Sequence, residues 1–243
     1  MRNILTISAL ALAVAACGDK TAAPAADAPS APAVAAPAGQ NWVDVVAATP
    51  EGGFRMGNPD AKVKLIEFAS LTCPHCREFH EAAQATIKSK YVASGNVSYE
   101  YRNFVLNGPD YAATVLARCQ GAPAFFGLLD NFYADQAGWT EPFGRISKPD
   151  VEALGKMPEE QAVARMADLG GLADYMKLRG MPRAKFDQCL ADPAQLKAVN
   201  DLRNQAVNEF KLTGTPTFII NGAVQEGVFT WADLEPKLQT ALR

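Results

Sequence analysis

Two cysteines with two residues between them, Cys73-Pro74-His75-Cys76, are the side chains whose type and spacing point most directly to chemistry. A thiolate is the reactive form of cysteine, so the question is what surrounds each sulfur. The motif follows an apolar, β-prone run, residues 63–69 (VKLIEFA), and leads into a helical stretch, residues 77–90. Pro74 suits a first helical position, which needs no N–H. Cys73 is then expected at the helix N-cap, where unpaired backbone N–H groups and the helix dipole favour negative charge. Its pKa should fall. The N–H groups of His75 and Cys76 point towards its sulfur, and the His75 imidazole can donate to the thiolate or attract it. A stabilised thiolate favours the reduced state, so the disulfide form tends to pass oxidation to a substrate dithiol. Cys76, a turn inward, is the expected buried partner.

Other uses of the motif fit less well. Haem attachment needs a histidine after the second cysteine, and residue 77 is Arg. A structural zinc needs four ligands, and beyond Cys73, Cys76 and His80 no fourth is at hand. No metal is expected, and His80 is assigned to the helix surface. An inert short bridge is the remaining reading, which the helix N-terminal placement disfavours.

The elements around the motif suggest how it is held. Residues 42–47 read as a short edge strand, and 97–105 (VSYEYRNFV) as the strand that completes a βαβ unit. Residues 107–210 carry little strand signal. Helices are expected at 109–120, 123–136, 148–156, 158–169, 183–190 and 193–210, several opening on Pro. Strand signal returns at 217–220, followed by the hairpin dipeptide Asn221-Gly222 and a run at 223–229. Thr230-Trp231-Ala232-Asp233 reads as a cap opening a last helix. The fold class is α/β: a split sheet with a large helical insertion.

A net charge of −3, with no basic cluster, argues against nucleic-acid binding. The N-terminus looks processed. Met1-Arg2-Asn3 is a short positive region, residues 4–16 are apolar but too short for a stop-transfer helix, and Val14-Ala15-Ala16-Cys17 resembles the lipobox of bacterial lipoproteins. That resemblance implies cleavage after residue 16 and lipid on Cys17. An ordinary secretory peptide cut near Ala16 is the plainer alternative. Either way the protein leaves the cytoplasm, into a compartment where disulfides persist. Residues 18–40 are mostly Ala, Pro and small polar residues, unable to bury enough to offset their ordering entropy. The expected organisation is a signal peptide at 1–16, a lipidated Cys17 with its tether at 17–41, the first part of the split α/β domain at 42–106, the helical insertion at 107–210 and the second part of that domain at 211–243.

Three stretches carry a further resemblance. They are GNPDAKV at 57–63, EFASLTCPHC at 67–76 and GTPTFIING at 214–222. On these the chain resembles the DsbA family, thioredoxin-fold oxidoreductases of the bacterial envelope. The resemblance implies a thioredoxin fold with the insertion between its halves. It also implies that Pro216 is held in cis beside the disulfide, that Thr215 offers backbone groups to an extended substrate, and that Glu67 is a buried acid handling protons at the inner cysteine. Thr215 departs from the Val usual in the oxidases of the family and is frequent in its isomerase and reductase branches. Cys119 and Cys189 form an even pair in an oxidising compartment. Some relatives carry a second bridge in this region, and two separately buried thiols are the alternative.

The expectation is therefore a protein dithiol–disulfide oxidoreductase of the bacterial cell envelope and periplasm, lipid-anchored and monomeric. It needs no cofactor beyond the Cys73–Cys76 pair. Expected partners are exported cysteine-containing proteins and a DsbB-like, quinone-linked membrane oxidase, or a membrane reductant instead. A reductase or isomerase of the same fold, and a tethered binding or chaperone module, are the competing readings.

Overall fold

The computed structural model describes residues 32–243, so the expected signal segment at 1–16, Cys17 and most of the expected tether lie outside the described residues. Its strands are β1 (Val46–Ala48), β2 (Phe54–Met56), β3 (Val63–Ala69), β4 (Val97–Asn103), β5 (Thr217–Ile220) and β6 (Ala223–Val224). Its helices are α1 (Pro74–Thr86), α2 (Gly108–Cys119), α3 (Ala122–Ala134), α4 (Gln136–Thr140), α5 (Lys148–Leu154), α6 (Glu159–Leu169), α7 (Leu172–Lys177), α8 (Arg183–Leu190), α9 (Pro193–Asn208) and α10 (Trp231–Ala241). The strands form one sheet in the order β1-β2-β4-β3-β5-β6, with β3 and β4 parallel and every other pairing antiparallel. This is a thioredoxin fold, with α2 to α9 inserted between its halves.

Alternation along the strands sorts side chains to two faces. Register pairs Leu65 with Tyr99, Glu67 with Tyr101 and Glu67 with Phe218, so these share one face. That face packs into a continuous core reaching into the insertion, where Phe125 of α3 stacks on Phe54 at 4.0 Å and tilts against Tyr101. The insertion is thus built into the thioredoxin core. On the opposite face Phe68 and Ile219 pack with Ala206 of α9 and Leu212.

Local chemistry sets the boundaries. The Asn107, Ser147, Asp192 and Thr230 side chains each accept a backbone N–H at the start of α2, α5, α9 and α10. Asn221 and Gly222, at φ 50° and 83°, turn β5 into β6. Several sequence expectations change. The 42–47 segment begins as a 3₁₀ turn, Trp42–Asp44, and only Val46–Ala48 pairs as strand. The 223–229 run pairs as strand only at Ala223–Val224: after Gln225 N–H donates to the Phe218 carbonyl, a turn with Gly227 at φ 72°, closed by Val228 N–H on the Gln225 carbonyl, ends it. Helix α1 has Pro74 at its first position, as expected, but beyond Thr86 it continues as a π-helical turn, Ile87–Val92. The short elements β2, α4 and α7 were not anticipated. Residues 32–34, at the end of the expected tether, lie against the body: Trp42 Nε1 donates to the Val34 carbonyl at 2.8 Å and Asn96 Nδ2 to that of Pro32 at 2.8 Å. Among the described residues no helix is long and apolar enough to cross a membrane.

Candidate active site

Strand β3 ends at Ala69, a short turn follows, and Cys73 is the N-cap of α1 with Pro74 at its first position. Arg77 N–H donates to the Cys73 carbonyl at 3.2 Å, closing the first helical turn. Both cysteines are reduced, and both are buried, Cys73 to 6 % exposure and Cys76 to 0 %. Their environments push them apart. A hydrogen bond from Cys76 is the main cause that lowers Cys73 to about 5. Burial opposes it, and the Thr215 side chain and the N–H groups of Cys76 and His75 add to it. As a thiol, Cys73 Sγ donates to the Thr215 carbonyl at 3.4 Å, while the Thr215 hydroxyl is buried with no partner. That hydroxyl is free to donate once the sulfur is a thiolate. Cys76 is raised well above the usual thiol range, first by burial and then by the hydrogen bond it gives to Cys73 and the charge of Glu67.

The His75 side chain does not take the place expected of it. Its imidazole is 72 % exposed and turns to Glu78, with Nδ1 at 3.2 Å from Oε2. Its contribution to Cys73 is its backbone N–H.

Glu67 lies on β3, 2 % exposed, and accepts a hydrogen bond from Tyr99 of β4 at 2.5 Å. Burial raises it to about 8; the Tyr99 bond works against this and the Cys73 charge adds to it. An acid of this kind, beside a high-pKa inner thiol, can release a proton to a departing Cys76 sulfur near neutral pH.

Residues of the insertion, not foreseen from the sequence, hold the turn before Cys73. Asp110 of α2 accepts from Leu71 N–H at 3.0 Å and Ser70 Oγ at 2.6 Å. Tyr133 of α3 donates to the Ser70 carbonyl at 3.1 Å. Gln136 at the start of α4 donates to the Leu71 and Cys73 carbonyls at 2.8 and 3.0 Å. The only trace of this in the sequence is the Asn107-to-Asp110 spacing, which reads equally as a plain helix cap. His80, assigned from sequence to the helix surface, is instead 10 % exposed, with Nε2 at 2.9 Å from Asp130 of α3.

The Thr215–Pro216 bond is cis. Beside it runs a groove of about 530 Å³ lined by His75, Phe210, Leu212, Thr215, Pro216 and Phe229, so the sequence-predicted substrate residues adjoin the reactive cysteine. Cys119 and Cys189 form a disulfide, S–S 2.04 Å, joining the end of α2 to α8 far from this centre in sequence. Cys17 lies outside the described residues.

Comparison with known proteins follows the same line. A family model described as Thioredoxin matches residues 49–239. A Rickettsia felis protein named for protein-disulfide oxidoreductase activity is 27 % identical over 200 residues, covering 82 % of this chain and 64 % of that protein. The chain thus spans a little under two thirds of the length of this relative. Among solved structures, a protein-disulfide isomerase from Novosphingobium aromaticivorans is 31 % identical, with a TM-score of 0.75 over 79 % of this chain and 98 % of that one. An alpha-type DsbA of Wolbachia pipientis, 22 % identical with a TM-score of 0.62, covers 81 % of this chain and 92 % of its own and shares the fold.

Proposed function

The chain belongs to the thioredoxin family, and from that premise we propose that it is a protein dithiol–disulfide oxidoreductase that donates disulfides through Cys73 and Cys76. The observation that carries this is the placement of Cys73 at the N-cap of α1 beside the cis Thr215–Pro216 bond, with Cys76 fully buried one turn on, a geometry that lowers the first thiol to about 5 and raises the second. In the oxidised enzyme a substrate thiolate attacks Cys73 Sγ. The Cys73–Cys76 bond breaks, Cys76 leaves with the electron pair, and a proton from Glu67 neutralises it. A second substrate thiolate then attacks the substrate sulfur of the mixed disulfide. Cys73 leaves as a thiolate, which its low pKa makes a good leaving group. The substrate has lost two electrons and the enzyme holds them as a dithiol. A DsbB-like, quinone-linked membrane oxidase is the class of partner that would remove them.

The substrates of this reading are exported proteins with free cysteines, bound in extended form along the groove beside Thr215 and Pro216. The reaction takes place in the bacterial envelope, the chain being held to a membrane by lipid on Cys17. Replacing Cys17 with Ala is expected to release the protein from the membrane fraction into the soluble periplasmic fraction; unchanged membrane association would remove the anchor from the account.

A thiol reductase or disulfide isomerase of the same fold is the second reading: Thr215 stands where the oxidases of the resembling family carry Val, and the Novosphingobium relative is named an isomerase. Equilibration of the Cys73–Cys76 couple with glutathione separates the two. A donor of disulfides should lie nearer about −120 mV, whereas a value near about −270 mV would make it a reductase.

A further inference from the structure

On the buried face of α1, Cys76, His80 and Gln84 are spaced four residues apart and share one stripe. The first belongs to the redox centre. The other two belong to a chain of polar contacts that the exchange reaction does not by itself require. Lys88 Nζ lies 2.7 Å from Asp130 Oδ2, and His80 Nε2 lies 2.9 Å from Asp130 Oδ1. Gln84 Nε2 lies 3.4 Å from both His80 Nδ1 and the Tyr99 hydroxyl, and that hydroxyl reaches Glu67 at 2.5 Å. The chain thus runs from a half-exposed ion pair at the α1–α3 boundary to the buried acid behind Cys76.

Donor and acceptor chemistry gives each link a direction. The Asp130 carboxylate accepts only, so His80 Nε2 carries a hydrogen, and in the neutral imidazole Nδ1 then offers its lone pair. Gln84 must then present its amide nitrogen there, and its second N–H meets the Tyr99 oxygen. With that lone pair engaged, the Tyr99 proton is directed at Glu67. The Gln84 carbonyl oxygen is buried with no partner, and both contacts of the amide are made by its nitrogen.

We propose that Gln84 and His80 are positioning residues for Glu67, acting through Tyr99: His80 fixes the direction of the Gln84 amide, and the amide polarises the Tyr99 hydroxyl towards the carboxylate. The task of Glu67 rests on the exchange reading above, but the chain is testable without it. The titratable groups that face Glu67 are Tyr99 and Tyr101 from β4, Cys73 and Cys76 from the start of α1, and Tyr133 from α3. Those around His80 are Asp130 and Tyr133 on α3 and Lys88 in the turn after α1.

The test is a pH titration of the reduced full chain carrying ¹³Cδ-glutamate, with Glu67→Gln identifying the resonance. Gln84→Met should move the Glu67 midpoint upward by about half a unit, the size of one weak hydrogen bond acting through another. His80→Phe should move it the same way by less. In a Tyr99→Phe background Gln84→Met should add nothing. An unmoved midpoint in folded Gln84→Met overturns the proposal, and so does a shift that persists without the Tyr99 hydroxyl, which would be plain desolvation. Should Gln84→Met not fold, the wild-type protein decides. The Gln84 side-chain ¹⁵N–H resonances must move with the Glu67 midpoint, and flat resonances overturn the chain. Absence of thiol exchange in the wild type would instead refute the proposed activity and leave this titration readable.

Discussion

Glu67 and Glu100 are both glutamates on adjacent parallel strands, both buried, and they face opposite sides of the sheet. Glu100 is compensated: Arg102 donates to it at 2.7 Å and Thr49 at 2.8 Å, and Arg102 is itself tied to Gln205 of α9 at 2.8 Å. Glu67 has a tyrosine hydroxyl and, among the described residues, no cation. One residue type thus serves as a structural ion pair on one face and, on the other, as an acid left uncompensated beside two cysteines. The difference lies in the partner supplied, since burial is nearly equal.

Three substitutions probe this contrast, in decreasing order of effect. Arg102→Met should destabilise the fold by about 3–5 kcal/mol, because it strands a buried carboxylate. Denaturant unfolding measures the loss, and the Cys73 titration should stay where it was. A large shift in Cys73 would mean that the two faces are coupled. Glu67→Gln should act the other way. The Glu67 pKa is raised from 4.5 to about 8 on folding, so native stability is lost as pH climbs through that window. The variant lacks that loss, and should exceed the wild type by an amount on the order of a few kcal/mol above pH 8, with the two curves converging near pH 4. Parallel curves would show that Glu67 is not buried as an acid. Tyr99→Phe is the mildest change. It removes the hydroxyl that favours the carboxylate, and the Glu67 midpoint should rise by about one unit, read in the same ¹³C experiment.

Much of the catalytic half was legible before the structure. Strand β3, the N-cap position of Cys73, strand β4, β5 and the Asn221-Gly222 turn all follow from local pattern and local chemistry. The short strand β2 was not, because three residues leave no period to detect. The clamp made by Asp110, Tyr133 and Gln136 closes across roughly forty to sixty-five residues of chain, and no local signal marks it. His80 shows the limit most clearly. Its four-residue spacing from Cys76 and Gln84 was visible, yet its burial depends on α3 arriving with Asp130, which the helical periodicity of α1 cannot state. The outward turn of His75 is the converse case: an imidazole next to a sulfur in sequence found an exposed carboxylate one helical turn away.

The proposed chemistry turns on Cys73 being a thiolate at the N-terminus of α1. Thiolate absorbance near 240 nm, followed against pH in the reduced protein with Cys73→Ser as the blank, measures this. A single midpoint at about 5 is expected, absent from the Cys73→Ser protein, while Cys76 stays protonated through neutral pH. A midpoint near 9, the ordinary thiol value, would contradict it.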